Sequence, residues 1–264
     1  VTAPSATTDA SGTTSGILRI ALVAPSGAPV LSADAADDAV ARIEAAGPSV
    51  KAILLTHPGK NFCVGGDVAA FADAEQPGVY VGELAGKLHA AIRAIAAAPV
   101  PVVAAVQGWA AGAGMSMVAI ADIAVAGTGT QFRAAYPSIG FTPDGGMSWS
   151  LPRAVGRSRA LDIILTNRVV DAREAQAIGL VARVVADDRV QAEAEAIAAS
   201  FLTGSAPALA GIKRLVNDGL HRNLPEQLDA ESASIVARAD SADGREGTRA
   251  FVDRRPPVFD QGSK

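Results

Sequence analysis

Cysteine occurs once in this chain, as Cys63, so an internal disulfide framework and a cysteine-rich zinc site are both excluded. Histidine is nearly as scarce: His57, His89 and His221 show no metal-ligand spacing, and no metal is expected. Aromatic residues make up 4%, too few for an aromatic-rich β-sandwich. The formal net charge is −4, which offers no general field for phosphate backbones and no basic stripe, so nucleic acid is not an expected partner. Apolar runs are all broken by Gly, Gln or Asp before the roughly 18 residues of a membrane span. The opening VTAPSATTDASGTTSG has neither the basic nor the apolar region of a secretory signal. These absences lead to the expectation of a soluble, cytoplasmic protein.

Small side chains are what the chain has in abundance. Of 264 residues, 57 are alanine and 26 glycine, and 49% are hydrophobic. A core of such residues needs closely spaced backbones, as in helices packed on a tight sheet. The length suits one sizeable core with an appendage.

Residues 1–15, rich in Ser, Thr, Ala and Gly without periodicity, read as a disordered tail. Structure begins at GILRIALVA (16–24), a strand pattern stopped by Pro25, Ser26 and Gly27. Residues 34–46 have an acidic first turn and helical spacing, closed by Gly47 and Pro48. Strands are expected over 50–56 and 100–108, and a helix over 82–97 ends before Pro99. AAGAGMSMVAIA then reads as a helix opening on glycines, followed by the strand DIAVAG. Nearly all-apolar strands alternating with helices predict an α/β fold whose sheets are covered by helices. After residue 145 the patterns are helical, except LVARVVA (180–186). The expected division is a tail 1–15, a sheet-containing core 16–200 and a helical region 201–264.

Two glycine-bearing loops follow apolar strands: Phe62-Cys63-Val64-Gly65-Gly66-Asp67 and Ala110-Ala111-Gly112-Ala113-Gly114-Met115. Small residues let another group approach the backbone, and N–H groups at a helix start are unpaired. Two such donors aimed at one point would stabilise an oxyanion; ordinary close-packed turns would look the same. Met117 stands where a dinucleotide fingerprint beginning at Gly112 needs its third glycine, and no Gly-x-x-x-x-Gly-Lys-[Ser/Thr] phosphate loop occurs.

NFCVGGDV, AAGAGMSMVAIADIAVAG, FRAAYPSIGFTPDGGMSWSLPRAVG, TNRVVDAREAQAIGLVARVV and EGTRAFVDRRPPVF follow in order. In that order and spacing the chain resembles the crotonase (enoyl-CoA hydratase/isomerase) superfamily from about residue 16 to 260. The resemblance implies a spiral of ββα units, a helical C-terminal region used in trimerisation, and an acyl-CoA thioester as substrate. A homotrimer or a homohexamer is the implied assembly. CoA belongs to the substrate, so no separate cofactor is implied.

Carried over by motif, the family's oxyanion hole falls on the N–H groups of Gly66 and Ala113, where alanine stands in place of a frequent glycine. Ala24 and Val64 match segments lining CoA, with Asp67, Val68 and Tyr136 beside them; the family's frequent Arg near the end of the first strand is absent. Asp67 also reads as a local amide cap. The two hydratase glutamates correspond to Ser116 and Tyr136, neither of which is a carboxylate base.

Asp144, in Pro143-Asp144-Gly145-Gly146, is the remaining carboxylate. As bare sequence it reads as a turn residue. The resemblance gives an acid there the role of single base in some enoyl-CoA isomerases and of nucleophile in aryl-CoA dehalogenases. The dehalogenases carry tryptophan eight residues earlier, where this chain has Tyr136. Isomerisation with Asp144 as acid/base is the leading expectation. Hydration by atypical acids, displacement by Asp144 and a non-enzymatic CoA-binding role are the alternatives. Lys213, Arg254 and Arg255 could meet CoA phosphates or simply face solvent. His57, His89 and Cys63 read as loop, helix-face and packed residues, and Met115 and Met117 as pocket or core.

Overall fold

A computed structural model describes residues 13–14, 16–24, 27–57 and 59–259. The chain begins with β1 (Thr13–Thr14), β2 (Ile17–Ile20), α1 (Ala33–Glu44), β3 (Ala52–Leu55), α2 (Val68–Asp73) and α3 (Pro77–Ala97). It continues through β4 (Val102–Val106), β5 (Trp109–Ala111), α4 (Ala113–Ile120), β6 (Ile123–Gly127) and β7 (Gln131–Arg133). Then come α5 (Met147–Val155), α6 (Arg157–Thr166), β8 (Val170–Asp171), α7 (Ala172–Ala177), β9 (Arg183–Val185) and α8 (Val190–Ser200). Three helices close it: α9 (Ala206–Gly219), α10 (Leu224–Ala239) and α11 (Ala242–Val252).

Six strands form one sheet in the order β1-β2-β3-β4-β6-β9. All pair in parallel except β1, which lies antiparallel to β2. Both faces of this sheet are covered. Leu18, Ile20, Ile53, Leu55, Val102 and Ala104 point to the core that contains residues of α1, α3, α4 and α5. Their chain neighbours Ile17, Leu54, Val103, Ala105 and Val125 point the other way, onto Val190, Ala194, Ile197 and Ala198 of α8. Side chains alternate between sheet faces, so strands buried on both faces read as continuous apolar runs. The expected α/β architecture is therefore observed.

A second, three-stranded sheet, β5-β7-β8, escaped the sequence reading. Its strands have two or three residues, too few to display a period. The strand expected over 100–108 is two strands, β4 in the large sheet and β5 in the small one. The chain turns between them at Gly108, whose φ is 59°. An added Cβ there would strike the Lys60 carbonyl, so glycine answers both a conformational and a steric demand. β4–β5–α4 is thus one ββα unit, and β6–β7 begins the next. Cys63 bridges Ala110 in parallel, adding the loop before α2 to the small sheet.

Other boundaries move as well. The helix expected from 82 begins at Pro77, where proline occupies a first-turn position that needs no N–H bond. Of the expected tail, Thr13 and Thr14 pair with Leu18 and Ile17, because the open edge of β2 offers unpaired backbone groups. The rest of that segment lies outside the described residues. Among the described residues no helix is long and apolar enough to cross a membrane.

Lys213 is turned inward and paired. Its ammonium meets Asp122 Oδ2 at 2.8 Å with only 12% of the side chain exposed, and it donates to the Val100 carbonyl at 3.2 Å. Asp122 also accepts the Val102 N–H at 2.8 Å. This shielded pair ties α9 to the large sheet. Arg255 is engaged too, forked onto both Glu246 oxygens.

Candidate active site

Two chain segments meet at the start of α4. Ala111 N–H donates to the Cys63 carbonyl at 2.8 Å, and Leu31 N–H to the Gly65 carbonyl at 2.7 Å. Gly65 (φ 95°) and Gly112 (φ 52°) face each other where the segments touch. A Cβ built on Gly65 would stand 3.4 Å from the Ala111 oxygen and 3.8 Å from the Ala113 nitrogen. The space beside them would admit a Cβ in ordinary contact; it is the left-handed backbone that calls for glycine at these two positions. Gly112 caps α4 with no side-chain bond, and Ala113 is the first helical residue. Neither the Gly66 nor the Ala113 N–H has an acceptor among the described residues. The α4 terminus adds its partial positive charge at the same point.

These donors border a cavity of about 730 Å³. Val64, Gly66, Val68, Ala113, Tyr136 and Asp144 all line it, so six of the expected site residues are brought together. Two are not. Asp67 caps α2, accepting the Ala69 and Ala70 N–H groups at 3.0 and 3.3 Å, which is its local reading. Ala24 lies outside the cavity, on the loop whose Pro29 carbonyl accepts the Val64 N–H at 2.7 Å; Ala24 itself is joined to Val30 of that loop at 3.3 Å.

Asp144 is held from several directions. The Tyr136 hydroxyl donates to its Oδ1 at 2.7 Å, and the Ser116 hydroxyl donates to its main-chain carbonyl at 3.1 Å. Burial first, and the neighbouring Asp144 charge second, push the Tyr136 phenol far up. It therefore remains a neutral donor at ordinary pH. Asp144 Oδ2 has no hydrogen-bond partner among the described residues. Asp144 is the single carboxylate among the described lining residues.

Two supporting residues carry no site signal in the sequence. His89, on a face of α3, accepts the Gly145 N–H at its Nε2 at 3.2 Å and so anchors the turn carrying Asp144. Asn167 accepts the Ala135 N–H at 2.8 Å and holds Ala135 at φ 69°, an uncommon conformation for alanine, directly before Tyr136. Asn167 itself ends α6 in the left-handed region. Asparagine at a helix C-terminus was the one available local signal.

The remaining candidates are structural. Cys63 is fully buried, and that burial raises its thiol to about 11, leaving no thiolate near neutral pH. His57 Nδ1 lies 2.8 Å from the Asn61 carbonyl and 3.2 Å from the Gly59 nitrogen, so the ring is engaged within its own loop. Met115 and Met117 are in the core.

The Enoyl-CoA hydratase/isomerase family model matches residues 12–262. A probable enoyl-CoA hydratase of Rhodobacter capsulatus is 35% identical over 245 residues, covering 92% of this chain and 94% of the relative. The 1,2-epoxyphenylacetyl-CoA isomerase of Escherichia coli is 33% identical over 213 residues, 80% and 81% of the two chains. The crystal structure of an enoyl-CoA hydratase from Polaromonas sp. JS666 superposes with a TM-score of 0.88 at 31% identity, covering 93% of this chain and 97% of the other. With the fold, the paired loops and these matches in agreement, the chain belongs to the enoyl-CoA hydratase/isomerase family of the crotonase superfamily.

Proposed function

We propose that this enzyme moves the double bond of an enoyl-CoA, with Asp144 as the one acid/base. The observation that carries the reading is the carboxyl inventory of the cavity: Asp144 alone among its described lining residues. The Gly66 and Ala113 N–H groups would receive the thioester oxygen and stabilise the dienolate that forms when an α-proton leaves. Asp144 Oδ2 would take that proton and return it at the γ-carbon, while Tyr136 holds Oδ1. One carboxylate suffices, since it acts first as base and then as acid. The proton balance closes without a metal or redox partner, and CoA enters with the substrate.

Hydration asks for more. A water must be both oriented and deprotonated, and Ser116 and the neutral Tyr136 supply no second carboxylate. Conversion of 3-enoyl-CoA to 2-enoyl-CoA is therefore expected to outrun hydration of 2-enoyl-CoA when both are followed on one preparation. Fast hydration of crotonyl-CoA without isomerisation would overturn the reading. A second reading is displacement of halide from a haloaryl-CoA: Asp144 Oδ2, left open by the Tyr136 bond to Oδ1, attacks the halogen-bearing ring carbon, the halide departs, and water then hydrolyses the aryl ester at the Asp144 carboxyl carbon. Label entering the Asp144 carboxylate during turnover in H₂¹⁸O would select it.

We also propose a closed symmetric oligomer, a trimer or a dimer of trimers, built through the region 201–264. Ile212 and Val216 on α9 and Leu220 at its C-cap follow at four-residue spacing and are 59%, 66% and 58% exposed. Ile235 and Phe251, on the next two helices, are exposed as well. Apolar surface of this extent calls for a partner, and point-group closure is the usual solution. Light scattering at micromolar concentration is expected to give a multiple of three chains; a monomer would contradict this.

A further inference from the structure

The aromatic residues of this chain are few and unevenly placed. There are seven Phe, two Tyr and two Trp, yet Phe71, Phe141 and Tyr136 all line the one cavity that holds Asp144. Phe71 and Phe141 lie nearly parallel, with centroids 6.1 Å apart and planes at 18°. Tyr80, the other tyrosine, meets Phe71 edge-on at 6.0 Å. The Phe71 ring also covers Gly66, where an added Cβ would strike it. Phe71 and Phe141 thus form an aromatic part of the cavity wall beside the unpaired Gly66 N–H, backed by Tyr80. Rings accept a further ring in offset or edge-on contact at such spacings.

Charge points the same way. Among the described lining residues there is no Lys, Arg or His, and Asp144 contributes the only charge. A carboxylate at the far end of an acyl chain would lose its water there without gaining a cation, beside a carboxylate of like sign.

We propose that the acyl group this site accepts is uncharged and carries an aromatic ring, with Phe71 and Phe141 as the contact surface. The proposal rests on the acyl-CoA reading above but not on which reaction follows. Binding of unreactive thioesters therefore tests it apart from the chemistry, by calorimetry on the intact protein. 4-Phenylbutanoyl-CoA is expected to bind about threefold to tenfold more tightly than decanoyl-CoA, which has the same number of acyl carbons. Glutaryl-CoA is expected to bind at least about tenfold more weakly than pentanoyl-CoA. Phe141→Ala should bring the ratio of the first pair to about one, where an effect of ring lipophilicity alone would leave it unchanged.

Equal or tighter binding of decanoyl-CoA, or an unaltered ratio in Phe141→Ala, would overturn the ring preference. Glutaryl-CoA binding as well as pentanoyl-CoA would overturn the charge exclusion. In either case turnover of simple enoyl-CoA substrates would leave the proposed reaction standing. Failure of every thioester to bind would remove the acyl-CoA reading and this inference with it.

Discussion

Asp144→Asn is expected to lower isomerisation by roughly 10²–10⁴-fold while thioester binding is largely retained. Asparagine keeps the size of the side chain and an oxygen to accept the Tyr136 hydroxyl, so the 2.7 Å contact can persist. Its amide cannot take up the α-proton. The Ser116 and Gly145 bonds that hold the turn use main-chain groups of residues 144 and 145 and are untouched by the change. The loss should therefore fall on kcat, with KM nearly constant. Steady-state kinetics, with calorimetric binding of a saturated thioester, separates the two parameters. A mutant that isomerises at the normal rate would remove Asp144 from the mechanism. A mutant that no longer binds thioester would make it a structural residue of the pocket.

The second large effect is expected at the helix start. Ala113→Pro deletes one N–H and should lower kcat by about 10²–10³-fold, equivalent to about 3–4 kcal/mol of lost oxyanion stabilisation. Position 113 is the first residue of α4, where proline fits helical geometry and forfeits no intrahelical bond. The residue before it, Gly112, has φ 52° and ψ −121°, away from the extended region that a residue before proline prefers. Circular dichroism and a thermal midpoint must accompany the assay for that reason. Ala113→Gly supplies the control: it keeps the N–H, and it should stay within a few-fold of the parent rate. Full activity in a folded Ala113→Pro protein would take Ala113 out of the oxyanion hole. Equal losses in the proline and glycine variants would assign the effect to packing of the methyl group instead.

Much of the frame was legible in the chain because its signals are local. The all-apolar runs at 52–55 and 102–106 reported strands covered on both faces, and α8 is what covers the second face. Glycines bracketing position 113 reported a helix opening against another backbone, and Asp67 before Val68 reported a cap. The resemblance to a family added the rest of the outline, including the placement of Gly66, Ala113 and Asp144 in a common site.

What the tertiary structure decided are the pairings between distant residues. His89 and Gly145 are 56 positions apart, Ser116 and Asp144 are 28 apart, and Asn167 and Ala135 are 32 apart. No propensity or period along the chain encodes such partners, since they depend on which helix face and which turn the packing brings together. The same holds for Lys213, whose ion pair with Asp122 forms only once α9 lies against the sheet. It holds also for the small sheet, where strands of two or three residues are stable because β5, β7 and β8 pair with one another. The residue types needed for the chemistry were present in the sequence; their orientation and the open Oδ2 of Asp144 in the cavity came from the fold.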